Sequence, residues 1–113
     1  VKFGTNYGRI LENLGFWQLY KIHVDSLHYY RDERGEVDFC VVEDGKAVSL
    51  YQTCYDLSDF ETRDREIHTL RRVGRRLGVS DLNLITGQNN IQVSEKGIKI
   101  SQFLETLDKA ITL

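Results

Sequence analysis

The spacing of apolar residues along this chain changes repeatedly, and each change marks a new element. Ile10, Leu14, Trp17 and Lys21 fall on one stripe at helical spacing behind a cap at Thr5 or Asn6, which predicts a first helix to about Lys21. Leu11, Phe16, Leu19 and Tyr20 carry apolar surface around most of its remaining circumference, as expected of a helix buried between other layers, with Trp17 against a sheet. Ser26 to Arg31 is rich in aromatics and reads as a strand that ends at the charged turn Asp32-Glu33-Arg34-Gly35. From Glu36 to Glu43, Val37, Phe39 and Val41 alternate with Asp38 and Cys40, the period of a strand. Asp44-Gly45 is a hairpin signal, and Ala47 to Tyr55 is the return strand.

Ser58 stands three residues before Glu61, the spacing of a capping box. Phe60, Ile67, Leu70, Val73 and Leu77 then keep helical period until Gly78 supplies a stop. Leu82 to Thr86 reads as a short strand and Gln88-Asn89-Asn90 as a turn. Ile91 to Val93 and Ile98 to Ile100 flank Glu95-Lys96-Gly97 as a small hairpin, and Ser101 to Leu113 closes the chain as a helix with Phe103, Leu104, Leu107 and Ile111 inward. The order α–β–β–β–α–β–β–β–α predicts an α/β protein with a mixed sheet flanked by helices.

With 113 residues there is room for one domain. A 41% hydrophobic and 28% charged composition is that of a globular chain and argues against disorder. Fifteen Lys and Arg against 17 Asp and Glu leave a net charge of −2, so a basic field over the whole surface, as in an obligate nucleic-acid binder, is excluded while local basic patches are not. Apolar runs are too short for a transmembrane span or a signal peptide, and no membrane partner is expected. The two cysteines are too few for a disulfide scaffold, and the lack of a secretory-signal pattern favours reduced thiols and a cytoplasmic location. A chain without Met that starts at Val1 reads as a fragment of a longer protein or a processed form.

Few residues offer chemistry. Glu12 lies near Leu19 and Phe16 on the helical wheel, and a carboxylate on an apolar side calls for a salt bridge, a backbone hydrogen bond, a metal ion or a proton. Asp38 sits mid-strand, where aspartate is disfavoured. A turn centred on Gly45 sets residues whose numbers sum to 90 opposite one another: Asp38 faces Gln52, Cys40 faces Leu50, and Glu36 faces Cys54. Asp38, Gln52 and Cys54 then share one face, with Cys54 in a polar pocket. The second helix is acidic in its first half and carries Arg71, Arg72, Arg75 and Arg76 in its second. That suits the helix dipole and a solvated face, and the four arginines are also the best candidates for a nucleic-acid or partner-binding patch. His23, His28 and His68 have no zinc-ligand spacing, no oxyanion motif accompanies a Cys–His pair, and there is no glycine-rich phosphate loop.

Gly35-Glu36-Val37-Asp38-Phe39, a short hairpin and then Tyr51-Gln52-Thr53-Cys54-Tyr55-Asp56-Leu57 resemble the core of the PD-(D/E)XK nuclease-like superfamily. That core has a helix carrying Glu, a strand carrying Asp and a strand carrying (D/E)-x-K. Leu11-Glu12-Asn13-Leu14, the segment to Ser58, Glu61-Thr62-Arg63 and Arg65-Glu66-Ile67 look like one branch of it, an uncharacterised domain that usually follows the P-loop core of AAA-type ATPases in archaea and bacteria. The resemblance implies a restriction-endonuclease-like core, one nuclease-like domain over residues 1–113 of a longer chain, and an upstream P-loop ATPase domain as partner. In active members carboxylates hold a divalent ion whose water attacks a phosphodiester. Carried over, Glu12 matches the helix Glu and Asp38 the strand Asp, while Gln52 stands at the (D/E) position and Cys54 at the Lys position. Both of the latter are departures that weaken the site. The expectation is a non-catalytic accessory module that binds a nucleic-acid or protein partner and needs no cofactor. The alternative is a divergent phosphodiesterase with Mg²⁺ or Mn²⁺ weakly held by Glu12 and Asp38, whose metal affinity Gln52→Glu and Cys54→Lys would raise.

Overall fold

The structure, a computed structural model, describes residues 26–88 and 90–102. The first helix read from the sequence, with Glu12 and Trp17, and the closing segment beyond Gln102 lie outside the described residues. Five strands and one helix follow in chain order: β1 (Leu27–Asp32), β2 (Gly35–Glu43), β3 (Lys46–Thr53), α1 (Phe60–Leu77), β4 (Leu82–Thr86) and β5 (Ile98–Gln102). They form an α/β arrangement with one mixed sheet in the order β1-β2-β3-β4-β5. β1, β2 and β3 run antiparallel as a meander, whereas β4 is parallel to β3 and β5 parallel to β4.

Asp44 and Gly45 make the β2–β3 turn with φ of 52° and 76°, the two positive angles of a type I′ turn, whose twist matches that of the strands it joins. Away from the turn, Phe39 faces Tyr51, Cys40 faces Leu50 and Val41 faces Ser49, the register expected from a turn centred on Gly45. Nearer the turn the register shifts by one, because Val48 is an extra residue between Ala47 and Ser49.

α1 starts one residue later than the capping box predicts. Asp59, not Ser58, is the N-cap, and its carboxylate accepts the Thr62 N–H at 3.2 Å and the Thr62 hydroxyl at 2.8 Å. Ser58 instead turns back to Asp56 Oδ1 through its N–H and hydroxyl. Aspartate adds charge to the same role at the positive end of the helix dipole. Gly78 ends the helix in the left-handed region at φ 70°.

Ile67, Leu70 and Val73 bring the buried stripe of α1 onto Val37, Cys40, Leu50, Leu82 and Leu84 of the sheet. Phe39 and Ile85 belong to a second buried cluster, with Leu27 and Tyr51 packed against it. Two expectations fail toward the end of the chain. Ile91 to Val93 is not a strand: Glu95 to Gly97 does turn, with Ile98 N–H bonded to Glu95 O at 3.1 Å, but the strand that follows joins β4 in parallel. Ser101 and Gln102 complete that strand rather than open a helix. No helix among the described residues is long and apolar enough to cross a membrane.

Gly74 lets α1 approach its own return loop. A Cβ built there would lie 2.8 Å from Val79 O and 2.9 Å from Leu82 Cδ2. In an open helix Gly→Ala is worth up to about 1 kcal/mol of propensity, but here the backbone carbonyl cannot move aside as a side chain would. Gly74→Ala is therefore expected to destabilise by about 1–3 kcal/mol, the range of overpacking, in urea unfolding. A more stable variant would show that the helix and loop are not in contact.

Candidate functional site

β3 is shared between two neighbours. Lys46 to Tyr51 pair with β2, while Leu50 to Thr53 pair with β4, so beyond Tyr51 the β2–β3 ladder stops. β2 is distorted at the same level: between the pairs His28–Cys40 and Tyr30–Val37, Tyr29 of β1 lies opposite both Asp38 and Phe39. This bulge redirects side chains next to the gap. Side chains bridge it. Gln52 Oε1 accepts the Asp38 N–H at 2.7 Å, and Gln52 Nε2 donates to Glu36 O at 3.2 Å. In return Asp38 Oδ2 accepts the Thr53 N–H at 2.9 Å and the Thr53 hydroxyl at 3.0 Å. Each residue satisfies the backbone of the opposite strand, which buried backbone groups at a fork require.

Asp38 and Gln52 thus meet, as the register predicts, and they lie in a cleft of about 290 Å³. Arg34 and Glu36 form one wall, Arg65, Glu66 and Thr69 of α1 the other, and Gln52 is buried below. Burial raises the Asp38 pKa above the ordinary carboxylate value, the two Thr53 bonds oppose this, and the Glu36 charge adds to the rise. Arg65 pairs with Glu66 at 3.3 Å and Arg31 with Glu36 at 3.4 Å. The expectations from sequence do not place Thr53, Arg65 or Glu66 beside Asp38 and Gln52 as site residues, although Arg65 counts among the arginines of this helix. Glu66 was findable: it precedes Leu70 by four residues and so falls beside the buried stripe.

Cys54 does not join Asp38 and Gln52 in this cleft. It is 2% exposed within the apolar cluster under α1, and its thiol is held by Asp56 O at 3.4 Å. Burial pushes its pKa up to about 11, with the Glu66, Asp59 and Asp56 charges adding to the rise. The polar pocket expected for Cys54 is therefore corrected to an apolar one, and a thiol in it is a packing group. The described residues do not fit the divalent ion that the nuclease resemblance implies. The Gln52 carbonyl oxygen already accepts a backbone N–H, Cys54 is turned into the core, and no cluster of three or more His, Cys, Asp or Glu among the described residues is arranged to hold a metal. Glu12 lies outside them.

The four candidate arginines divide by helix face. Arg72 grips Asp32 through two bonds of 2.7 and 3.2 Å, with side chains only 11% and 4% exposed. Arg76 bridges Asp32 and Glu33 at 3.3 and 2.9 Å. Tyr30 and the Arg34 N–H complete the shell around Asp32, each at 2.9 Å. The Arg72 bond, foremost, holds the Asp32 carboxyl far below the usual carboxylate range. On the other face Arg71 reaches Glu95 at 3.4 Å and Lys96 O at 3.0 Å. Arg75 is exposed and has no partner among the described residues. Arg72 and Arg76 therefore tie the β1–β2 turn to α1, Arg71 is tied to the turn before β5, and of the four only Arg75 has no partner among the described residues.

No family model matches the chain, and no solved structure matches it. It is 33% identical over 87 residues to the Uncharacterized protein MJ1544 of Methanocaldococcus jannaschii, a match that takes in 74% of this chain and 19% of that protein. The chain thus spans about a fifth of the length of the curated relative it matches.

Two outcomes follow from the bonds at these sites. Only an amide can both accept from Asp38 N–H and donate to Glu36 O, so Gln52→Glu loses a donor and sets a carboxylate against a carbonyl. It is expected to destabilise by about 2–4 kcal/mol at neutral pH, without recovery on adding Mn²⁺. The new carboxyl has a folded pKa above its unfolded value of about 4.3. The penalty is thus absent below that value and grows as pH rises through it, and the gap to the native chain in urea midpoints should widen from acid to neutral pH. A metal-dependent gain would instead mean that position 52 is a ligand. Asp32 has the opposite sign, a depressed folded pKa whose stabilisation holds above about pH 4 and is lost as pH falls. Asp32→Asn should be less stable at neutral pH and lack this part of the acid limb; an unchanged limb would contradict the pairing.

Proposed function

We propose that the chain is a non-catalytic, nuclease-like module of a larger P-loop ATPase chain, which binds a partner rather than cleaving a phosphodiester. The observation that carries this reading is the use of Gln52. At the position where an active PD-(D/E)XK enzyme has a carboxylate, this chain has an amide with both of its polar atoms bonded to the backbone of β2. Cys54, at the lysine position, is a core residue that provides no cation beside a reacting water. The meander with Asp38 on β2 next to Gln52 on β3, followed by α1 and a parallel β4, supports the restriction-endonuclease-like core behind this reading. The similarity to a fifth of a longer archaeal protein is compatible with a module built into a larger chain.

A divergent metal-dependent phosphodiesterase is the rival, and one observation favours it. Asp38 lines an open cleft with Glu36 and Glu66 nearby. The test is nicking of supercoiled plasmid with Mg²⁺ or Mn²⁺, by the native chain and by Asp38→Asn and Glu12→Gln/Asp38→Asn variants. Asparagine at 38 keeps an oxygen that accepts from Thr53, so the single variant should fold with a near-native melting temperature. The expected result is no metal-dependent nicking by any of them. Nicking by the native chain that disappears in folded variants would overturn the reading.

A further inference from the structure

We infer that the cleft beside the last turns of α1 docks an acidic, aliphatic peptide segment of a partner protein, an inference that rests on the partner-binding reading above and names its surface. The cleft measures about 330 Å³ and lies between α1 and the loop that leads into β4. Its floor is aliphatic: Gly74, Val79 and Leu82 are buried there. Its polar side chains are Arg71, Arg75 and Ser80, each able to donate, and no carboxylate among the described residues lines it. Arg75 and Ser80 are exposed and have no partners among the described residues. Arg71 is held in place by the 3.0 Å bond to Lys96 O and its pairing with Glu95.

The two faces of α1 differ in charge balance. Arg72 and Arg76 meet two carboxylates of the same chain, Asp32 and Glu33. On the other face Arg71 pairs with Glu95 and Arg75 has no carboxylate partner among the described residues, while Asp64 in the adjoining hollow is set against Arg63 at 4.0 Å. One guanidinium therefore lacks an anion, next to an aliphatic floor. A carboxylate on an aliphatic backbone segment fits both features, since the charge-assisted bond forms at the rim and the apolar group covers the floor. A nucleic acid fits neither as well. Its phosphodiester backbone offers no aliphatic group, and among the described residues no aromatic side chain lines the cleft to stack a base.

Fluorescence anisotropy with a labelled short peptide of alternating leucine and glutamate tests this, beside the same peptide with lysine for glutamate and a labelled oligo-dT. The leucine–glutamate peptide should bind best. Arg75→Glu should weaken it about tenfold, as loss of an ion pair to charge reversal does, while Arg34→Glu in the other cleft should leave it unchanged. Both arginines are exposed, and a native melting temperature confirms that each variant is folded. No binding of the leucine–glutamate peptide, tighter binding of the lysine peptide or of oligo-dT, or indifference to Arg75→Glu would each overturn the inference. None of these results alters the plasmid-nicking outcome, so this surface and the non-catalytic reading fail separately.

Discussion

Beyond Tyr51, strand β3 leaves β2 and belongs to β4 alone, and the rest of the site depends on how that fork is closed. β3 pairs antiparallel with β2 through Lys46–Tyr51 and parallel with β4 through Leu50–Thr53, so the two ladders cover different parts of its length. Open backbone groups at the fork must then be bonded by something other than a strand. Asp38 and Gln52 do this reciprocally, each reaching the main chain of the other's strand. A polar pair that would be costly in an apolar core is satisfied because the fork exposes donors and acceptors at matching spacing.

This closure explains the character of the cleft above it. Its base is an amide held at both ends, and its walls include the ion-paired Glu36 on the β2 side and Arg65 with Glu66 on α1. The same helix is tied down further along by Arg72 and Arg76, which grip the β1–β2 turn and so keep the cleft wall formed by Arg34 and Glu36 close to α1. The arginine-rich half of α1 thus serves two ends: one face fastens the fold, the other presents donors. A tally of basic residues would merge the two.

Much of this was legible in the sequence, for reasons that are local. Asp44-Gly45 determines a hairpin and its register within a few bonds, and Gly78 and the stripe through Ile67, Leu70 and Val73 mark the helix by short-range geometry. The meeting of Asp38 with Gln52 follows from that register. What the sequence hid is non-local. Parallel pairing of β5 with β4 leaves no turn signature, so Glu95-Lys96-Gly97 read as the tip of a hairpin whose first arm, Ile91 to Val93, does not form. The bulge at Asp38–Phe39 is equally silent, because it depends on β1 alongside. Cys54 was placed on a shared face with Gln52 by alternation, but alternation does not tell which part of that face α1 covers. The division of the four arginines depends on acids forty residues away in the chain, at Asp32 and Glu33.

Two backbone N–H groups at the fork, those of Asp38 and Thr53, are held by side chains and not by a strand ladder. Amide hydrogen exchange followed by NMR reads them directly, in the native chain and in Gln52→Ala. The fork predicts that the Asp38 amide is protected in the native chain and exchanges fast in the variant, while the amides of the Cys40–Leu50 pair remain protected in both. An Asp38 amide that exchanges freely in the native chain, or stays protected without Gln52, would contradict it.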